Sequence, residues 1–374
     1  MRNTDDRTHH SPALSRRDFL RAAGLAAAGL VAAGCQKGEP SAQEQAPSTT
    51  RAPSTVAIAA AQDYDRQRTY AHVRDLLDAI GGLGDLVSRG DRVAIKVNLT
   101  GGTSVEPLRG VSATESYITH PEVVRALGQL LRDAGARELL IVEAVYEWAS
   151  YVQWGYEEVA AAIEAELIDL NDTAPYDDFA QTAAGDGSFI YDHLTFNHVL
   201  EDVNAFVSVS KMKNHYSCGV THTMKNLIGL VPARFYRLSE QDNYRSAFHG
   251  EGDAFGTRLP RVIMDLNRAR PIHLGLVDGI KTTQGGEGPW IGTISPIAPG
   301  VLIAGKDVVA TDAVATAAMG YDPTVEPPNS PFLRSDNHLN LARELGLGTN
   351  RLDEIEVVGP SIDDVAMEFE PCWD

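Results

Sequence analysis

The chain has 374 residues, of which 51 are Asp or Glu and 32 are Lys or Arg, so its formal net charge at pH 7 is −19. A surface this acidic repels nucleic acid and anionic lipid head groups, and we expect no nucleic-acid partner. With 43% hydrophobic residues, the chain is long enough to bury the core of one large α/β domain.

The amino-terminal segment has the pattern of a twin-arginine export signal. Arg16 and Arg17 are followed by residues 22–34, an uncharged run of 13 residues made of Ala, Gly, Leu and Val. This run is shorter than the roughly 20 residues that span a bilayer, and it suits the apolar part of a cleavable signal. We therefore expect residues 1–35 to direct export through the Tat translocase, to the periplasm or the outer face of the membrane.

Cys35 closes a sequence, Ala-Ala-Gly-Cys, that resembles a lipoprotein processing box. In such a box the thiol receives a diacylglyceryl group and tethers the protein to the membrane. Ala32 stands where Leu is usual, so cleavage by ordinary signal peptidase is the alternative. Residues 36–54 are rich in Ser, Thr, Pro, Gln and Ala, as a flexible tether would be. Residues 55–374 then form the predicted single domain.

Cysteine usage limits the cofactors that this chain can hold. Beyond Cys35 only Cys218 and Cys372 remain, and a disulfide between them is left open. The sequence contains no Cys-x-x-Cys, so we expect no iron–sulfur cluster of its own in the ferredoxin manner.

Short apolar or β-branched runs alternate with segments of helical period, which predicts an α/β fold with a mostly parallel sheet covered by helices on both faces. The predicted strands lie at 55–61, 92–98, 138–143, 204–210, 272–277, 300–304 and 354–358. The predicted helices lie at 68–79, 120–134, 156–166, 258–268, 308–319 and 338–345. The segments 99–119, 144–155, 171–200 and 231–257 are predicted to be long loops, mainly at the carboxyl ends of the strands.

Polar residues follow the predicted strands directly. They are Lys96 and Asn98, Glu143, the run from Lys211 to His215, and Asp278. Ligands of open parallel sheets bind at the carboxyl ends of the strands, so these side chains are expected to share a pocket. The alternative is that the strands simply end at the surface, where polar residues are common.

Lysine usage indicates what the pocket binds. The chain has 25 Arg and only seven Lys, yet six of the Lys lie in the domain near predicted strand ends, at positions 96, 211, 213, 225, 281 and 306. A compact ammonium with three donors is not replaceable by a guanidinium. We therefore predict an anion-binding pocket, with a reactive lysine as a second interpretation and clustered surface lysines as the alternative.

Residues 211–230 form the densest polar segment, with His215, Cys218 and His222 at a spacing that would let two of them reach one divalent metal ion. The neighbouring lysines oppose a cation, so histidines that only form hydrogen bonds are the alternative. Glycine-rich residues 284–292 include Glu287 and could bring backbone amides close to a ligand. A structural turn would explain this segment equally well.

Six blocks of sequence resemble the domain of unknown function 362 family, and among them the Lys-x-Lys-x-His block followed by Lys-Asn-x-x-Gly is specific. They are residues 93–98, 119–124, 209–221, 224–229, 277–280 and 306–313. The resemblance covers nearly all of residues 90–322. It implies no settled reaction. Many relatives carry ferredoxin-type cysteine clusters, so any electron-transfer role of this chain would need a separate redox partner protein.

These observations favour an exported enzyme or cofactor-bearing protein that acts on a small anionic ligand, with a metal-assisted pocket as one form of it. The predicted ligand-binding residues are Lys96, Asn98, Lys211, Lys225, Asn226 and Glu287. The predicted catalytic residues are His215, Lys213 and Asp278, and the predicted metal ligands are His215 and His222. A non-catalytic solute-binding lipoprotein and an accessory factor of a redox complex are the alternatives. The four lysines 96, 211, 213 and 225 are expected to converge in one cleft, and Lys306 is expected to matter less.

Overall fold

A ten-stranded mixed sheet organises the protein in the computed structural model, which describes residues 53–372. The strands of this sheet are β1 (Ser54–Ala60), β2 (Arg92–Lys96), β3 (Glu138–Glu143), β4 (Ala165–Asp169), β7 (Ala205–His215), β8 (Gly219–Thr221), β9 (Leu274–Gln284), β10 (Ser295–Ile297), β11 (Val301–Gly305) and β12 (Ile355–Val358). A separate two-stranded sheet pairs β5 (Phe179–Ala183) with β6 (His193–Asn197).

The α-helices are numbered in chain order. They are α1 (Arg66–Ala79), α2 (Pro121–Asp133), α3 (Ala149–Gln153), α4 (Tyr156–Ala162), α5 (Ser246–His249), α6 (Phe255–Ala269), α7 (Val308–Ala318), α8 (His338–Glu344) and α9 (Ile362–Val365). Residues 53–372 belong to one compact unit. No helix within residues 53–372 has the length and apolar character needed to cross a membrane.

The order of strands across the sheet is β12-β1-β11-β9-β7-β2-β3-β4. Five neighbouring strands, from β9 to β4, run parallel, and β11 is antiparallel to both of its neighbours. β8 and β10 add antiparallel pairings to the far ends of β7 and β9. The predicted α/β class with a mostly parallel sheet is confirmed.

Helices cover both faces of the sheet, as predicted. On one face, α1, α2 and α4 bury residues such as Val73, Leu127 and Val159. On the other face, α6, α7 and α8 bury residues such as Val262 and Val314. Burial of this apolar surface is the main stabilising contribution to the fold.

Differences from the predicted elements are local. Helix 156–166 was predicted too long: α4 ends at Ala162, and β4 forms the sheet edge immediately afterwards. Glu164 lies between them with φ of 53°, a left-handed conformation that an α-helix cannot continue through. The hairpin of β5 and β6 occupies residues that were predicted to be a loop.

Some predictions concern residues outside the described range. The export signal with Arg16 and Arg17, the lipidation site Cys35 and nearly all of the tether precede residue 53.

Candidate functional site

A cavity of about 930 Å³ opens beyond the carboxyl ends of β2 and β3, beside the end of β7. It is walled by the loops that follow these strands and by the segment that carries α5. Of the predicted site residues, the cavity is lined by Lys96, Asn98, His215, Lys225, Asn226 and Glu287. Lys211, Lys213, His222 and Asp278 do not line it.

Lys96 lies at the inner end of the cavity and is fully buried. Its Nζ donates to Glu143 Oε2 at 2.9 Å, to Asn226 Oδ1 at 3.1 Å and to the carbonyl oxygen of Val97 at 2.6 Å. Burial lowers the pKa of Lys96 to about 8, although the Glu143 carboxylate opposes this shift. Because its three protons already have acceptors, Lys96 shapes the floor of the cavity and has no donor left for a ligand.

Gly229 is required at this floor. A Cβ atom there would lie 2.0 Å from Glu143 Oε1 and 2.8 Å from Lys96 Nζ, so no side chain fits beside the ion pair. The backbone at Gly229 also accepts a hydrogen bond from the amide of Ala144 at 2.9 Å. The segment after β8 is therefore locked against the floor.

Lys225 differs from Lys96 in having no protein acceptor. It begins the 3-10 helix Lys225–Leu230, and only 8% of its surface is exposed. Its ammonium makes no hydrogen bond or ion pair with any residue of the described chain. Burial lowers the pKa of Lys225. A buried amine without a partner is costly for the fold, which marks it as a candidate for ligand contact.

Two histidines lie at the cavity beside Lys225, with the ring centroids of His215 and His249 6.2 Å apart. Burial, followed by the positive charge of Lys225, lowers the pKa of His215 well below its usual range. Burial and the Lys225 charge also lower the pKa of His249 to about 4. Both imidazoles are therefore neutral near pH 7.

The hydrogen bonds of these rings assign their tautomers. His215 Nδ1 accepts from the amide of Ser217 at 3.1 Å, so the proton of the neutral ring is on Nε2. His249 Nδ1 lies 3.2 Å from the carbonyl oxygen of Arg245 and must donate to it, so Nε2 of His249 is the unprotonated atom. The pair thus provides one proton donor and one proton acceptor.

Arg245 adds a second buried cation to the cavity wall. Its Nε and Nη2 donate to the carbonyl oxygens of Val231 and Ala144 at 2.9–3.1 Å, while Nη1 has no hydrogen bond within residues 53–372. Burial lowers its pKa. We call Lys225, His215, His249 and Arg245 the open cluster.

Within residues 53–372, the carboxylates that line the cavity form no ion pair with Lys225 or Arg245. Asp242 and Glu251 lie towards solvent. Glu287 accepts from the amide of Tyr216 at 3.0 Å and from Trp290 Nε1 at 3.1 Å, so its oxygens hold the neighbouring loop. The cavity is thus cationic where Lys225 and Arg245 are buried and acidic towards solvent.

Lys211 and Asp278 form a separate, closed arrangement. Lys211 Nζ donates to Asp278 Oδ2 at 2.9 Å and to the Tyr64 hydroxyl at 3.0 Å, and neither member of the ion pair is exposed. Asp278 also accepts from Tyr64 OH at 2.9 Å and from the amide of His120 at 3.0 Å. The rings of Tyr64 and His120 stack at 3.6 Å. We call these four residues the closed cluster.

The expectation that four lysines converge in one cleft is therefore wrong, and the pleat of the sheet explains why. Val209 and Met212 of β7 lie in the cores on opposite faces, so Lys211 projects on the face of Val209. Lys213 reaches the same side, where it donates to the carbonyl oxygen of Tyr117 at 2.6 Å. Lys211 is also directly opposite Asp278 on β9, so the two side chains pair.

Of the two predicted metal ligands, His215 lines the cavity and His222 does not. His222 is fully buried, and burial lowers its pKa to about 3. Within residues 53–372, no group of three or more His, Cys, Asp or Glu is arranged to hold a metal ion. Cys218 is a buried free thiol, so the disulfide left open by the sequence is not formed. Burial raises the pKa of Cys218 to about 12.

Arg245 and His249 are functional candidates that the sequence reasoning missed. Both come from residues 231–257, which were predicted only as a loop. No motif marks them, and their position beside Lys225 depends on how this segment folds over the end of the sheet. The available signal in the sequence was that this loop directly follows residues 211–230, the densest polar segment.

The comparisons with known proteins show the family. The family model described as "Domain of unknown function (DUF362)" matches residues 93–317, and the chain belongs to this family. The resemblance predicted from the six sequence blocks is thereby confirmed. The chain is also 28% identical over 275 residues to a thylakoid-associated protein of Synechocystis sp., a match covering 73% of this chain and 77% of that protein.

Two solved structures have a distant likeness to this chain. A protein from Thermotoga maritima has a TM-score of 0.36 and 12% identity, covering 67% of this chain and 57% of that one. The lactate racemase apoprotein from Thermoanaerobacterium thermosaccharolyticum has a TM-score of 0.37 and 11% identity, covering 69% and 55%. The chain thus spans little more than half of each structure, and likeness at this level carries no argument about function.

Proposed function

We propose that the protein is an exported enzyme that binds a small organic anion in the cavity. The observation that carries this proposal is the buried Lys225, which lines the cavity and has no hydrogen-bond or ion-pair partner among residues 53–372. An anion would supply the missing acceptor and offset the cost of burying the charge. Arg245 Nη1, at the same cavity, would add a second donor.

The two neutral histidines favour turnover over simple binding. A protein that only binds an anion needs donors, whereas His215 and His249 offer one donor and one acceptor beside Lys225. Positioned groups of this kind transfer protons in general acid–base catalysis. In this proposal Lys225 and Arg245 hold the anion, while His215 and His249 move protons. Lys96, Asn98, Asn226 and Glu287 maintain the shape of the site.

The binding part is tested by calorimetric titration of the exported protein with oxalate, phosphate and succinate. Oxalate should bind, with phosphate and succinate as comparisons, and Lys225→Met should weaken oxalate binding at least tenfold. Lys306→Met is the matched control, because Lys306 pairs with Asp85 at the surface at 2.6 Å and does not line the cavity. Equal binding by both variants would contradict the proposal.

A second measurement identifies the natural ligand and separates binder from enzyme. Protein purified from its own export route is analysed by native mass spectrometry and elemental analysis. A retained organic anion that is consumed on incubation supports an enzyme. A retained anion that stays unchanged would leave a solute-binding protein, and a stoichiometric retained metal would overturn the metal-free assignment of roles.

Location outside the cytoplasm is part of the proposal and rests on the amino-terminal sequence. Changing Arg16 and Arg17 together to Lys should leave the protein in the cytoplasm, and undiminished export would contradict the Tat route. Changing Cys35 to Ala should release the protein from the membrane fraction if the thiol is acylated. The relative from Synechocystis sp. is described as thylakoid-associated, which agrees with membrane tethering.

A further inference from the structure

We infer that Lys225 is a nucleophilic amine that forms an imine with a small 2-oxo acid bound in the cavity. The inference rests on the proposed function, because the cavity must first bind an organic anion. It adds the chemical class of the substrate and a covalent role for one residue.

Lys225 differs from the other lysines of residues 53–372 in its hydrogen bonding. Each of the other five has a protein acceptor: Glu143 for Lys96, Asp278 for Lys211, the Tyr117 carbonyl for Lys213, Glu115 for Lys281 and Asp85 for Lys306. Lys225 alone among these six has none. An amine that carries no structural hydrogen bond is free to attack a ligand.

A nucleophilic lysine must lose its proton, and burial favours this loss. Lys225 is 8% exposed, and burial lowers its pKa. The Cys218 thiol and the Glu287 carboxylate oppose the shift. Both Glu287 oxygens already accept hydrogen bonds, from the Tyr216 amide and from Trp290 Nε1.

The cavity also contains the proton carriers that imine formation needs. The Nζ lone pair attacks the carbonyl carbon, a C–N bond forms, and the carbonyl oxygen takes up a proton to give a carbinolamine. His249 Nε2 can accept a proton from nitrogen, and His215 Nε2–H can donate one to the leaving hydroxyl. The C–O bond then breaks, and the two amine protons leave with the oxygen as water. No oxidant or reductant is consumed.

Among carbonyl compounds, the site favours 2-oxo acids. The carboxylate of such an acid lies next to its carbonyl carbon and needs a cationic donor near the attacking amine. Arg245 lines the same cavity, and its Nη1 forms no hydrogen bond with any residue of the described chain. At about 930 Å³ the cavity exceeds the needs of a three-carbon acid. Exposed Leu238, Tyr244 and Trp290 would contact an apolar tail.

The test is reductive trapping on the exported protein. The protein is incubated with pyruvate or phenylpyruvate and sodium cyanoborohydride, and the modified lysines are located by peptide mass spectrometry. We expect Lys225 to be modified at least tenfold faster than Lys281 and Lys306, which are the more exposed lysines. Modification spread evenly over the lysines, or absent from Lys225, would overturn the inference.

Oxalate provides a control that needs no variant, because it resembles a 2-oxo acid but has no ketone. It should protect Lys225 from trapping without protecting Lys281, and unprotected trapping at Lys225 would count against a site-bound reaction. Lys225→Arg keeps a positive charge but cannot form the imine. The variant should bind oxalate within about fivefold of the wild-type protein, because the positive charge is kept. It should show no modification at position 225, because a guanidinium does not replace an amine as the nucleophile.

The failures of the two proposals are distinguishable. If Lys225→Met weakens oxalate binding but the wild-type protein is not trapped at Lys225, the imine is wrong and the anion site stands. If oxalate binding is the same in wild type, Lys225→Met and Lys306→Met, the anion site itself is wrong.

Discussion

The closed and open clusters show two outcomes for buried lysines from the same stretch of sequence. Lys211 and Lys225 are 14 positions apart and both are largely enclosed. Lys211 is matched by Asp278, Tyr64 and a backbone carbonyl within 3.3 Å. Lys225 has no acceptor among the described residues and lines the cavity. The closed cluster holds strands together, whereas the open cluster leaves its charge for a ligand.

Burial by itself does not mark a functional lysine. Burial lowers the pKa of both Lys211 and Lys225. For Lys211 the Asp278 carboxylate opposes this shift and completes the ion pair, so the site is satisfied without a ligand. The discriminating feature is the missing partner, because an unsatisfied buried cation persists only where something outside the fold compensates for it.

The largest effect is expected from breaking the closed cluster. Asp278→Ala removes the acceptor of Lys211, Tyr64 and the His120 amide, so the free energy of unfolding should fall by about 3–5 kcal/mol. Denaturant unfolding measures this loss. Glu115→Ala is the control, because its pair with Lys281 is partly exposed and should contribute at most about 1 kcal/mol.

A double change sharpens the same prediction. Lys211→Met combined with Asp278→Leu leaves no unpaired charge and should recover part of the stability that Asp278→Ala loses. If Asp278→Ala instead costs less than about 1 kcal/mol, the closed cluster is not a stabilising ion pair.

The next largest effect is a loss of ligand binding. Unlike the loss expected for Asp278→Ala, it should not be accompanied by a loss of stability. Lys225→Met should lower oxalate affinity by about 1.5–3 kcal/mol, since a charged hydrogen bond is lost. It should leave the free energy of unfolding unchanged or raise it, because an unpartnered buried cation disappears. Calorimetry and denaturant unfolding on the same sample measure both quantities. A loss of stability comparable to that of Asp278→Ala would show that Lys225 is structural.

A smaller effect is expected on the histidines, and it separates the two clusters. Lys225→Met should raise the pKa of His249 from about 4, because the lysine charge that lowers it is removed. His120 also has a pKa of about 4, but Lys211 is the lysine acting on it, so it should not move. NMR titration of the ring protons distinguishes them. Equal movement of both histidines would contradict the separation of the clusters.

The same histidine gives a pH dependence with a defined sign. The pKa of His249 is lowered from 6.5 to about 4 in the folded protein, so its contribution to stability is complete above pH 6.5. Stability should fall as the pH drops from 6.5 towards 4, because the unfolded chain takes up a proton that the native ring refuses. Lys225→Met should flatten this slope, and a slope unchanged by the variant would argue against coupling of the two residues.

The smallest effect is expected at Lys306. Lys306 pairs with Asp85, whose carboxylate is exposed to solvent. Lys306→Met should therefore change the free energy of unfolding by about 1 kcal/mol or less. Oxalate binding should not change. A larger loss in either measurement would mean that a lysine outside the cavity is as important as those that line it.

Much of the fold followed from the sequence. Alternation of β-branched runs with segments of helical period predicted the seven main strands and six helices, because these local patterns match the burial pattern of a covered parallel sheet. Lys96, Asn98 and His215 follow predicted strands directly, which predicted their position in a pocket, and all three line the cavity. The edge strand β4 and the β5–β6 hairpin escaped because most residues of β4 and β5 are partly buried or exposed, and the buried alternation of Leu194 and Phe196 in β6 extends over only five residues.

Only the tertiary structure decided which lysine has a partner. The acceptors of Lys96 and Lys211 are 47 and 67 positions away along the chain, and strand register brings each pair together. Lys225 has no acceptor among residues 53–372 because no carboxylate of this range comes within hydrogen-bonding distance of it, a property that no local pattern encodes. Arg245 and His249 join it through the fold of an irregular segment, whose path depends on long-range packing. The sequence determined that lysines gather at the strand ends, and the three-dimensional pairing determined which of them is available to a ligand.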